Sequence, residues 1–356
     1  MSGTTLPVAL TGNGQAPANI IVEGTNPFNY GLVVNGNDVV NTFTIRNDGD
    51  VEATDLAGAI ALTGDYSFVG GAFPGGTAPT ACVAAGTLAP AATCTIEVQF
   101  SPTTPGLQTN NLQVIYDNGV SAGNIADVQL DGTGVTPALL VIAGTGAHNF
   151  GTAAQGGFVE NTFFVTNNGS AIATGLTEIG LTGNFENVGG AFPGGGTCGT
   201  SLANGATCSF VARFTPGATG LLTDDIELTY NDGTGPATAT RAVEGTGITP
   251  ALLSMNQTDP YNFGVVAVGG VGEVTIEITN GGDSIALGMG GTLTPPYAFK
   301  DGAYPGTGGD CAFSLPGGGA TCEIVVTFSP TTVEPCLLYT SPSPRDATLS
   351  RMPSSA

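Results

Sequence analysis

"TCTIEVQFSP" (Thr93–Pro102) decides the fold, because the chain writes it three times. It returns as "TCSFVARFTP" (Thr207–Pro216) and "TCEIVVTFSP" (Thr321–Pro330), each about 114 residues after the last. Ile96, Val98 and Phe100 fall on one face, and Thr95, Glu97 and Gln99 on the other. Phe210, Ala212 and Phe214 repeat the apolar set, as do Ile324, Val326 and Phe328. This period of two is the signature of a half-buried strand.

Outward from that strand, other segments recur with the same spacing. "GTGVTPALL" (Gly132–Leu140) returns as "GTGITPALL" (Gly245–Leu253). "VGGAFPGG" occurs at Val69–Gly76 and Val188–Gly195, with "DGAYPGTGG" (Asp301–Gly309) as a looser third copy. An earlier alternating run carries Phe43 and Ile45, Phe163 and Val165, or Ile276 and Ile278. It ends in turn-forming "NDGD" (Asn47), "NNGS" (Asn167) or "NGGD" (Asn280). A later run carries Tyr116 or Tyr230 and ends in "DNG" or "NDG". A period near 113 residues is one small domain and not a solenoid unit. About seven strands per copy, joined by Gly, Pro and Asn turns, predict an all-β chain of tandem Ig-like antiparallel β-sandwiches.

The boundaries that follow are 17–135, 136–248 and 249–335. Residues 1–16 align with the last strand of a repeat, Leu10 corresponding to Leu130 and Val243. The third copy is expected to lack its last two strands, so the chain reads as a fragment of a longer array. Its exposed edges predict aggregation of the 356-residue chain, whereas residues 136–248 should fold alone as a monomer.

Residues 336–356 break the pattern: they hold none of the 57 glycines, and two of the six basic residues. Reverse translation of "CLLYTSPSPRD" (Cys336–Asp346) and "SRMPSSA" (Ser350–Ala356) resembles two parts of a sequencing adapter, in order. The tail therefore reads as non-native, against the alternative of a Ser/Pro-rich linker.

Seven cysteines then become six, paired as Cys82 with Cys94, Cys198 with Cys208, and Cys311 with Cys322. One local disulfide per repeat is the expectation, with buried thiols as the alternative; a disulfide places the chain in an oxidising compartment outside the cytoplasm. Zinc needs about four ligands, and His148 is the single histidine.

The net charge of −22 opposes nucleic-acid binding, and no apolar run is long enough to insert in a membrane. No nucleophile-elbow, phosphate-loop or metalloprotease motif is present, so no catalytic residue, cofactor or metal is expected. His148 lies in a stretch without a neighbouring nucleophile. Asn47–Asp50 and Asn231–Gly233 cluster oxygen ligands of the kind calcium takes, but the copies do not keep the carboxylates. Phe73, Phe192 and Tyr304, each on a Gly/Pro loop before a cysteine, are the candidate ligand-loop aromatics. Their alternative role is to fold back and plug the end of the sandwich.

At these residues the chain resembles the choice-of-anchor D repeats of bacterial surface proteins, relatives of Hydin-like and sperm-protein-like Ig domains. The resemblance rests on "NYG" (Asn29–Gly31) and "NFG" (Asn149–Gly151, Asn262–Gly264), then "TNNGS" (Thr166–Ser170). It continues through "C…LANGATCSFVARFTP…TG" (Cys198–Gly220). It implies a secreted or cell-surface array with no catalytic residues; the expectation for this chain is a structural, adhesive and monomeric array presenting a surface to an unknown protein or glycan ligand. An accessory carbohydrate- or protein-binding module of an enzyme is the alternative.

Overall fold

The computed structural model describes residues 8–58, 61–76 and 79–333. The tail at 336–356 lies outside the described residues. By backbone contacts the chain falls into two compact units. One holds Met1–His148, Glu160–Ala212 and Asp224–Val243; the other holds Asn149–Val159, Arg213–Thr223 and Glu244–Ala356.

The first repeat lies wholly in the first unit. Its strands are β1 (Ile20–Val22), β2 (Phe28–Val34), β3 (Val39–Asn47), β4 (Ala53–Gly58) and β5 (Tyr66–Phe68), then β6 (Gly86–Leu88), β7 (Thr93–Phe100), β8 (Gly106–Asp117) and β9 (Asn124–Val135). They form two sheets, in the orders β1-β3-β7-β5 and β2-β9-β8-β4-β6. Each inner strand is apolar on alternate residues, so the two sheets bury those faces against each other. Ile96, Val98 and Phe100 of β7 meet Leu112 and Val114 of β8 and Leu130 of β9 in one buried cluster. Phe100 and Tyr66 stack at 4.7 Å at the centre of its aromatic group.

Two details depart from the sequence expectation. The β2–β9 pair is parallel, Phe28 facing Leu130 and Val33 facing Gly134. The chain changes sheet between β2 and β3, so β2 joins the last strand at the sheet edge and is not held by a hairpin. The "NDGD" turn also closes no hairpin, since β3 and β4 belong to different sheets. It carries the chain over the edge of the sandwich.

The second repeat repeats the plan with β10 (Leu140–Ile142), β11 (His148–Ala154), β12 (Val159–Asn167), β13 (Ala173–Glu178) and β14 (Phe185–Asn187), then β15 (Ser201–Leu202), β16 (Thr207–Phe214), β17 (Gly220–Asn231) and β18 (Pro236–Ile248). Within the first unit, β10 pairs β12, and β13 pairs both β15 and β17. These match the pairings of β1 with β3 and of β4 with β6 and β8.

The third repeat lies in the second unit and is thinner. Its strands are β19 (Leu253–Met255), β20 (Gly272–Asn280), β21 (Ala286–Leu287), β22 (Tyr297–Phe299), β23 (Ser314–Leu315) and β24 (Ala320–Phe328). One sheet is present in the order β19-β20-β24-β22, while the facing sheet is reduced to β21-β23. Among the described residues nothing corresponds to β8 or β9, and residues 261–267 form no strand where β2 and β11 do. The parallel pairing explains this, because β2 is held by β9. Exposure records the opening: Tyr297 is 42% exposed, whereas its counterparts Tyr66 and Phe185 are each 2% exposed.

Candidate functional site

The repeated Gly/Pro loop is the most constant feature outside the strands, and β7 builds it. Val69 donates its N–H to the Glu97 carbonyl (3.1 Å), and Glu97 donates back to Pro74 (3.0 Å). The loop thus extends the sheet edge without forming a strand. Val211 donates to Pro193 and Val325 to Pro305 in the same way, at 2.9 and 2.8 Å. The glycine after each proline is required. Gly75, Gly194 and Gly306 have positive φ, and a Cβ there would run into the backbone carbonyl of Glu97, Val211 or Val325. Each aromatic precedes a cis proline: Phe73–Pro74, Phe192–Pro193 and Tyr304–Pro305.

All three aromatics are half-buried and turn toward their own repeat. Phe73 meets Phe68 edge-on at 5.7 Å, Tyr304 meets Phe299 edge-on at 5.3 Å, and Phe192 lies 5.6 Å from Phe210. The Tyr304 hydroxyl is buried without a hydrogen-bond partner, and burial pushes its pKa up. Phe73 still walls a shallow hollow with Val69, Ala72 and Glu97, and Phe192 walls another with Leu176 and Cys198. Each ring thus packs against an aromatic of its own repeat while staying partly exposed.

Disulfides tie the far end of each loop to the strand: Cys82–Cys94, Cys198–Cys208 and Cys311–Cys322. Every one of these cysteines is buried. Before each bridge the loop hydrogen-bonds the strand as well, with Cys82 donating to Thr95, Cys198 to Ser209 and Cys311 to Glu323.

A further constant residue has only turn-forming character in the sequence. Asn47, Asn167 and Asn280 are each fully buried, at 0% exposure. The Asn167 amide accepts from the Leu139 and Gly169 N–H groups (3.1 and 3.0 Å) and donates to the Ala171 and Leu202 carbonyls (2.8 and 3.0 Å). Asn47 and Asn280 bind the equivalent groups. One side chain thus holds the start of the repeat, the inter-sheet turn and the strand β15 that follows the loop. The N-x-G spacing is its signal: a Cβ on Gly49, Gly169 or Gly282 would overlap the carbonyl of Pro17, Pro137 or Pro250.

The remaining candidates sit among contacts of their own strands and turns. His148 opens β11, with its ring edge-on to Phe163 at 4.9 Å. Burial and the Arg241 charge lower its pKa. Arg241 lies over the same Phe163 ring and donates to the Ala143 and Gly146 carbonyls, closing the glycine-rich turn. At the turn weighed for calcium, burial raises the Asp232 pKa, but donors from Thr234 and Gly235 outweigh it and hold the carboxyl below its usual value. Its Oδ1 is thereby occupied by the turn itself. Among the described residues no group of three or more His, Cys, Asp or Glu could hold a metal ion. No helix there is long and apolar enough to cross a membrane.

No family model matches the chain, and no curated protein matches it. Solved structures similar to it include a titin I-band fragment, 10% identical, covering 90% of each chain with a TM-score of 0.33. A protein of unknown function from Porphyromonas gingivalis is 12% identical over 65% of this chain and 99% of that one, with a TM-score of 0.26. A human ASH/PapD-like domain is 16% identical over 38% of this chain and 97% of its own, with a TM-score of 0.24. These scores are low, and the sandwich assignment rests on the chain's own sheets.

Proposed function

We propose that the chain is a non-catalytic repeat array, structural and adhesive, from a secreted or cell-surface bacterial protein of the choice-of-anchor D kind. Its units are 17–135, 136–248 and 249–335, and they act by spacing and presenting an interaction surface. The observation that carries this reading is what recurs and what does not. The disulfide, the docked Gly/Pro loop and the buried Asn clip are present in all three repeats. The outer strand faces differ: Asn111 and Gln113 on β8 stand where β17 has Asp225 and Glu227. Chemistry is invested in the scaffold, and the surface varies.

Two further facts support it. Disulfides suit an oxidising exterior. The first junction is also clamped, because Asn37 donates to the Gly233 carbonyl at 2.6 Å. Labelling intact source cells with a membrane-impermeant reagent tests the reading. Tagged peptides from this chain are expected, and recovery of the chain only from lysed cells contradicts it.

A second reading, an accessory glycan-binding module, has one observation in its favour. Thr109, Asn110, Asn111, Gln113 and Gln129 line a polar hollow suited to sugar hydroxyls. Glycan-array binding that is lost on Asn111→Ala and Gln113→Ala would favour this module.

A further inference from the structure

We propose that the β17–β18 turn of the second repeat is a socket for the Val34–Asn37 corner of the first, and that it couples the two repeats into one rigid pair. Linked small domains move relative to one another unless an interface holds them. The inference concerns how the spacing is held, and it rests on the repeat boundaries rather than on the adhesive role. Its test below reads nothing that cell-surface labelling reads, so the two readings fail separately.

The socket is made by what the second repeat leaves small. Gly233 has a φ of +98°, and a Cβ there would come within 2.8 Å of Val34 Cγ2 and 3.7 Å of Ala171 Cβ. Gly119 is its counterpart in the first repeat, where the nearest atom is Cγ1 of Val51, at 2.8 Å and from the same repeat. Val51 and Ala171 hold equivalent places, since the buried amides of Asn47 and Asn167 donate to their carbonyls. Alanine in place of valine thus leaves the turn to be covered by the preceding repeat, and Val34 covers it. Asn37 adds a polar contact beside it, donating to the Gly233 carbonyl at 2.6 Å.

Both sides of the contact are braced. Asn37 donates its N–H to the Val34 carbonyl (2.9 Å) and Asn35 to the Val135 carbonyl (2.8 Å), which ties the corner to the last residue of β9. Thr136 follows at once and is already fixed to the second repeat. Its Oγ1 accepts the Ser170 N–H at 3.0 Å, and its carbonyl accepts the Ala171 N–H at 2.9 Å. Within the turn, Asn231 Oδ1 accepts from Gly233, and Asp232 Oδ1 accepts from Thr234 and Gly235. Corner, strand end, linker and turn therefore close a ring. The pair is particular to this corner: where the first repeat has Val34 and Asn37, the second has Ala154 and Gly157. Contacts between neighbouring repeats add to the stability of both, and these hold the outer faces of β8 and β17 at one spacing.

Hydrogen exchange of the full chain at low concentration, read by mass spectrometry on its peptides, tests the coupling. Amides of the turn exchange by local opening, so their rate reports what covers the turn. Asn37→Ala and Asn37→Asp should each speed exchange in the peptide spanning residues 231–235 by about tenfold. Peptides from β7 should be unchanged, which separates lost coupling from damage to the first repeat. Asp38→Asn, at the exposed neighbouring position, should behave like the parent. Ala171→Val lets the second repeat cover Gly233 for itself, as Val51 covers Gly119. In that background Asn37→Ala should change the rate by less than about twofold. Equal rates in the parent and both Asn37 variants overturn the proposal. So does acceleration that Asp38→Asn reproduces, or that persists in full beside Ala171→Val, because the corner is then loosened in general and not released from a socket.

Discussion

Replacing Asn167 by alanine in residues 136–248 tests whether one buried amide organises a repeat. The side chain is fully buried and makes four hydrogen bonds, all to backbone groups. Alanine leaves two N–H donors and two carbonyls to find other partners, and each unsatisfied buried group costs about 1–3 kcal/mol. Local relaxation and entering water recover part of that, so a net loss of roughly 3–5 kcal/mol is expected. Small domains have about 5–15 kcal/mol in total. The substitution should therefore lower Tm by roughly 15–30 °C, or leave the repeat unfolded. Urea melts followed by circular dichroism give the free energy, and Thr162→Ala at an exposed position of the same strand serves as the control. Asn167→Asp adds a signature that general destabilisation lacks. It keeps the acceptor for Leu139 and Gly169 but turns a carboxylate oxygen toward the Ala171 and Leu202 carbonyls. It should be severely destabilised at neutral pH and partly recover on acidification, when the carboxyl regains a donor. A change within about 0.5 kcal/mol for the alanine variant would refute the clip.

Three other outcomes follow from the geometry. Burial, and then neighbouring Tyr66, hold the Tyr30 phenol above its usual value of 10.0; burial, and then Asp131 and Asp65, do so for Tyr66. A raised folded pKa gives stability that is complete below the unfolded value and lost as pH rises past it. Residues 17–135 should thus lose stability above about pH 10, more steeply than residues 136–248, where Phe150 and Phe185 occupy the same places. Tyr30→Phe with Tyr66→Phe should remove the difference in alkaline melts. Cys198→Ser with Cys208→Ser opens a bridge with a separation of 10 residues, and should cost about 3 kcal/mol by denaturant melts; no loss would mean that the docked loop holds itself. Gly245→Ala drives a methyl within 2.5 Å of the Phe214 ring, with an expected loss of about 1–3 kcal/mol.

Much of this architecture was legible because period-two alternation and cysteine spacing are local signals. Ile96, Val98 and Phe100 announce β7 without help from distant residues, and the cysteine pairs lie close in sequence. Less legible was whatever depends on which sheet a strand joins. "NDGD" has hairpin chemistry, yet it links β3 and β4 of different sheets. The parallel β2–β9 pair joins residues about a hundred positions apart, and no local pattern encodes its direction. Asn47 shows the same limit: its turn propensity is visible, but its burial arises from three segments that meet only after folding. The loop aromatics were legible as a pair of alternatives, and the geometry leaves each ring half-buried against its own repeat. Phe328 carries the apolar pattern of Phe100, and its partial exposure reflects which described residues surround it rather than its own segment.

The central claim is an extracytoplasmic scaffold whose three repeats are each closed by a local disulfide. It is tested most directly by trapping thiols in living source cells with an alkylating agent, followed by non-reducing peptide mapping. The account predicts linked peptides for Cys82–Cys94, Cys198–Cys208 and Cys311–Cys322, with no alkylation at these positions. Alkylated cysteines at all six would place the array in a reducing compartment and contradict the account.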